Sequence, residues 1–271
     1  PGNPQQQPPA SDNKLPVVYG TAWVGGIVTD LSITANNQVM YYVLALSEVT
    51  GGEDIGPNVP LDTFYFGDIF FGGRQCSFGY SINFLASCSG VNLTTEGEPA
   101  LYIGMRVVGP GSTSIGFILS GSGNDWVVSQ GSTFTTFYCR ADDLTRVTQL
   151  YDPSTAIADT TVNGYLNIYL YNNGSYSPTN TSVNAVSIMQ DPNLVYQWDA
   201  SKKMSNCVFA IVKITYNQNA NLTGLQGTKF RITNGRSDPG ECFLDYLTST
   251  TYGAALPPES IDTDSLTELT A

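Results

Sequence analysis

The chain has 271 residues, 11 Lys+Arg against 23 Asp+Glu, a formal net charge of −12, and no His. Without His there is no Ser-His-Asp or Cys-His nucleophile and no His-ligated zinc centre. The acidic balance also argues against sequence-specific nucleic-acid binding, which takes clustered Lys and Arg.

Charged residues are 13% of the chain, about half the share of an ordinary soluble domain. Ser, Thr, Asn, Gln and Gly must therefore carry the polar surface, a texture typical of adhesins and virion parts. Hydrophobic content of 41%, with 16 Tyr and 12 Phe, is enough for a sizeable core. The length admits two domains or one large β-domain.

In chain order, residues 1–14 are Pro- and Gln-rich and read as an extended arm or linker. Their composition is not that of a signal peptide. Order begins at Leu15-Pro16-Val17-Val18-Tyr19-Gly20, and a β-type run over 23–28 is broken by Gly25-Gly26. Residues 39–46 are apolar on both faces and of strand length, which predicts a central strand. Runs 63–66 and 69–71 flank Gly67-Asp68, a spacing that predicts a tight hairpin with its turn at that pair. Gly72-Gly73 reads as a turn or bulge.

After Phe78 short β-type runs at 101–108, 114–119, 126–128 and 134–138 alternate with Gly/Ser turns. They predict a small β-sandwich or barrel inserted at 78–137, with an alternative limit near 190. Strands follow at 166–171, ahead of the turn Asn172-Asn173-Gly174, and at 207–216. Helix is expected only near the end. Asp238 is a good N-cap, Pro239 sits at the first helical position, and Glu241 completes a capping-box pattern. Cys242, Phe243, Tyr246 and Leu247 would share its inward face, and Gly253 would stop it. A second helix starts near Asp262 or Thr263, with Leu266 and Leu269 inward. The expected class is mainly β and antiparallel, with a short C-terminal helical piece. No segment has the ~20 apolar residues of a transmembrane helix.

Cys76, Cys88, Cys139, Cys207 and Cys242 show neither a CxxC pair nor a disulfide framework, and read as buried thiols acting as small hydrophobes. The tightest acidic pairs, Glu53-Asp54 and Asp142-Asp143, read as solvated loops. On a strand, neighbours face opposite ways, so neither pair would present two carboxyls to one substrate. No catalytic, metal or cofactor residue is assigned, and no enzymatic activity is expected. Tyr171 and Tyr176, beside Asn and Ser, read as alternating strand residues running into a polar loop, with a sugar- or protein-binding rim as the alternative. That rim supports the alternative of a carbohydrate-binding adhesin module.

Two stretches resemble one family, the central tail-tip or baseplate hub (host-attachment) proteins of long-tailed bacteriophages. The first is Leu15-Pro16-Val17-Val18-Tyr19-Gly20, then Val24-Gly25-Gly26, then Tyr42-Val43-Leu44-Ala45-Leu46-Ser47-Glu48. It is similar to a family pattern "PVVYG…VGG" followed by a strand ending in Ser/Cys-Glu. The second is Phe243-Leu244-Asp245-Tyr246-Leu247-Thr248-Ser249-Thr250-Thr251-Tyr252-Gly253, then Ile261-Asp262. It resembles "LYDxLTNxRYG" with a following "I/VD" step, except that Thr251 stands where the family usually has Arg. The runs 209–216 and 228–232 sit where the family places return strands.

Together these cover about a third of the chain, at its two ends. The resemblance implies a discontinuous hub domain of residues 15–77 plus 138–271 and an N-terminal fragment of a longer hub. It implies a homotrimer that closes the tail tube, joins the distal tail protein and other tail-tip proteins, and meets the host cell surface only indirectly. Location in the virion and opening for DNA ejection are part of the same expectation.

Overall fold

The computed structural model describes residues 14–52, 61–152, 154, 157–159, 162–172 and 185–269. The arm at 1–13, the pair Glu53-Asp54, the turn at Asn173-Gly174, and Tyr176 lie outside the described residues. The strands are β1 (Thr21–Val24), β2 (Ile27–Ile33), β3 (Val39–Glu48), β4 (Phe64–Phe71), β5 (Arg74–Thr95) and β6 (Arg106–Val108). They continue with β7 (Ser114–Ser122), β8 (Asp125–Asp152), β9 (Ile157–Asp159), β10 (Leu166–Tyr171), β11 (Cys207–Thr215) and β12 (Thr228–Asn234). Helices α1 (Ala185–Met189), α2 (Pro239–Thr248) and α3 (Thr263–Glu268) are short. The protein is mainly β, one large antiparallel sheet with a short helical C-terminal piece.

The main strand path runs β1-β12-β4-β5-β8-β10-β11-β3-β2. Its two end strands are consecutive in the chain, separated only by Gly25-Gly26, so one bent strand pairs with β12 on one side and with β3 on the other. The path thereby folds back into a barrel-like body. Gly26 makes the corner possible: its φ is +80°, and a Cβ there would stand 3.0 Å from Leu46 and 3.2 Å from Leu44. The Thr228 hydroxyl donates to the Gly25 carbonyl at 3.0 Å and pins the corner to β12.

Strand β3 is central, as its two-sided apolarity predicts. Leu44 and Leu46 point into the barrel against Phe64, Phe71, Phe230 and Val212. Tyr41, Val43 and Ala45 point outward under α1, Leu194 and Trp198. β11 alternates in the same way between these two cores. Each fully buried Leu, Val, Ile or Phe among them contributes about 1.5–3 kcal/mol by leaving water.

The expected hairpin at Gly67-Asp68 is absent, because β4 runs straight through that pair. Phe66 opposes Ile232 and Ile69 opposes Phe230, so Gly67 and Asp68 together face the single residue Arg231. This is a β-bulge. Arg231 fills the space that Gly67 leaves and binds Asp68 at 3.2 Å. The real turn is Gly72-Gly73, both at positive φ, which joins Phe71 to its partner Arg74.

β5 and β8, 22 and 28 residues long, form a ribbon that leaves the barrel. At ~3.3 Å per residue, β5 alone reaches roughly 70 Å before bending. Both strands pass without a break through positions 78 and 137. Register shifts at Ser77/Phe78, Phe78/Tyr80, Ala86/Cys88 and Gly90/Asn92 add twist and bend. β6 and β7 fold onto the ribbon around a second core that includes Phe84, Met105, Ile115, Ile118, Trp126 and Ala141.

Candidate functional site

Where the chain's two ends meet, polar groups are buried together. Asp238 caps α2 by accepting from the Glu241 N–H at 3.0 Å, and Pro239 opens the helix, as expected. The helix then presents an unexpected face. Phe243 and Tyr246 are exposed, whereas Gly240, Asp245 and Thr248 are buried. The reason is Asp245, whose carboxyl is fully buried and takes hydrogen bonds from three directions. The Tyr19 hydroxyl donates to it at 2.5 Å, the Tyr252 hydroxyl at 2.8 Å, and the Gly51 N–H at 3.0 Å. A buried carboxyl without such donors costs several kcal/mol, so it dictates which way the helix turns. Leu269 is likewise exposed and Leu266 half-buried, against the inward placement expected for both.

Burial, then the hydrogen bond to Asp245 and its charge, push the phenols of Tyr19 and Tyr252 far above their ordinary pKa. Both stay protonated donors. Next to this node lies a second set of bonds. Asn234 donates to the Val18 carbonyl at 2.9 Å and to Thr50, and Thr50 donates to Asp62 at 2.7 Å. Arg236 grips Asp62 with two N–H groups at 2.8 and 3.1 Å. Nothing in the sequence pattern singles out Asp62, Asn234 or Arg236. Asp245 was legible only as a polar residue amid apolar ones.

A second polar belt separates the two cores. Asp142 and Asp143 are buried in β8, contrary to the solvated loop expected of them. They do face opposite ways. Asp142 accepts from Arg106 at 2.8 Å and Ser81 at 2.7 Å, and Arg140 reaches it at 2.8 Å. Asp143 accepts from the Tyr102 hydroxyl at 2.5 Å and from the N–H and hydroxyl of Thr145. Arg146 lies 4.0 Å above the Tyr80 ring. The belt thus ties the loop before β6 to the foot of the ribbon. Each carboxyl is occupied by protein donors, and the two do not converge on one cleft.

Tyr171 is fully buried and stacked on Phe209 with centroids 4.6 Å apart, so no sugar ring reaches it. Tyr171 is thus a strand residue, the alternative of a rim there loses its first member, and Tyr176 is outside the described residues. All five cysteines are free thiols; four are buried and Cys242 is half-buried. Among the described residues no group of three or more His, Cys, Asp and Glu is placed to hold a metal ion. No helix there is long and apolar enough to cross a membrane. Comparison of the chain with protein-family models, with curated proteins and with solved structures finds no match.

Proposed function

We propose that this chain is a structural part of the tail tip or baseplate hub of a long-tailed bacteriophage. In this reading it closes the distal end of the tail tube as a homotrimer, joins the distal tail protein, and performs no catalysis. The observation that carries the reading is the node at Asp245. Tyr19 comes from the first stretch that resembles the hub family, and Asp245 and Tyr252 come from the second, more than 200 residues later. That two stretches resembling one family meet in one hydrogen-bonded knot supports reading them as a single unit.

Physical chemistry supports the reading in two further ways. A net charge of −12 repels a DNA backbone, which suits a passage that DNA must leave quickly. Weak charge with exposed Phe243 and Tyr246 on α2 suits permanent protein contacts, whose centres are poor in charge and rich in aromatics. Mass spectrometry of purified virions, with gold-labelled antibody to this chain, tests the proposal. Its peptides should be present and the label confined to one tail end; particles lacking the chain would overturn it.

A further inference from the structure

We infer that the outward face of the module at the end of the ribbon binds an acidic saccharide. Tyr138, Arg140 and Asp142 alternate along β8 and so share a face. Their cross-strand neighbours on that face are Asn83 and Ser81 of β5 and Val108 and Arg106 of β6. The opposite face holds the core residues Phe84, Val107, Cys139 and Ala141. An open pocket of about 550 Å³ lies here, lined by Asn83, Phe137, Tyr138, Arg140 and the 109–112 turn. That is the size of small-molecule sites in general.

Three features define the ligand. Tyr138 is 71% exposed, a ring at the pocket wall of the kind that the apolar face of a sugar covers. The Asn83 amide and the backbone of the turn supply partners for hydroxyls. The charge is the third. Arg106 and Arg140 share the single carboxyl of Asp142, leaving one positive charge in excess on a chain of net −12. Arg140 is the one charged residue in the pocket lining. A sugar carboxylate would accept from the Arg140 N–H groups that the Asp142 pair leaves over. Asp142, bound by Ser81 as well as by both arginines, fixes their direction. The site does not rest on the hub reading.

Calorimetric titration of the full chain with tetragalacturonate, with neutral galactotetraose and with inorganic phosphate tests this. Tetragalacturonate should bind, and each of the other two at least about tenfold more weakly. Tyr138→Ala, which removes an exposed ring and leaves the fold intact, and Arg140→Gln should each weaken binding about tenfold. Unchanged affinity in Tyr138→Ala, a preference for phosphate or for the neutral sugar, or no binding of tetragalacturonate would overturn the inference. Because the titration uses the purified chain, its outcome is separate from whether the chain is found in virions.

Discussion

Single residues in this protein carry unusual weight because charge is so scarce. Burial alone would raise the pKa of Asp142, but hydrogen bonds from Arg106, Ser81 and Arg140 outweigh it and hold the carboxyl below its ordinary value. A carboxyl depressed in the folded state stabilises the fold above its unfolded value of about 3.9. That contribution is lost as the pH falls through the folded value. Asp142→Asn should therefore cost about 2 kcal/mol at neutral pH, as expected for hydrogen bonds to a charged group. The gap from the parent should narrow on acidification toward about pH 2. Urea denaturation at both pH values measures this, and a pH-independent gap would contradict it.

The thiols give a second residue-level test. Burial pushes Cys76 and Cys207 up to about 12 and Cys139 up to about 11, with Arg74 pulling Cys76 partly back. At about pH 8 no more than about one thousandth of each is thiolate. Iodoacetamide should label Cys242 first in the native protein and reach the buried four only on unfolding. Peptide mapping of the labelled chain shows the order.

At the scale of elements, the Asp245 node decides how the C-terminal helix sits on the barrel. Tyr19→Phe and Tyr252→Phe each remove one donor and should each cost about 1.5–3 kcal/mol. Both hydroxyls bond the same carboxyl oxygen, so the double variant should depart from additivity, as groups within one network do. Strict additivity in chemical denaturation would place the two bonds in separate environments. At the barrel corner, Gly26→Ala forces a side chain into left-handed backbone and against Leu46, and should cost at least ~1–2 kcal/mol by thermal melt.

These elements also show what the sequence can and cannot disclose. The two-sided apolarity of 39–46 announced a buried strand because burial on both faces leaves no polar positions. The Asp238-Pro239-Gly240-Glu241 start announced α2 because capping is local chemistry. The Gly67-Asp68 bulge reads as a turn in the sequence, since both use a Gly between apolar runs and only the partner residue Arg231 distinguishes them. The outward aromatics of α2 and the burial of Asp142 and Asp143 were not legible either. They depend on donors such as Arg106, Tyr102, Ser81 and Tyr19, 36 to 226 residues away, and periodicity carries no information about such partners. Of the pocket on the distal module, no part was visible, because it is assembled from β5, β8 and the turn after β6.

For the whole molecule, the barrel is closed by its own ends, and the ribbon of β5 and β8 carries a second core outward. Exposed aromatics stand at both places, Phe243 and Tyr246 on α2 and Phe137 and Tyr138 on the module. That division suits a part which holds neighbours through one body and projects another. The barrel side is the assembly surface in the proposed account, so Phe243→Glu should abolish association while leaving the thermal melt of the isolated chain within about 0.5 kcal/mol of the parent. Light scattering on both forms reads the difference.

Electron cryomicroscopy of a tail that contains this chain is the most direct measurement. Three copies of the barrel should surround the tail axis at its distal end, with Tyr19, Asp245 and Tyr252 joined inside each copy. A single copy per tail, or density for this chain only on peripheral fibres, would contradict the account.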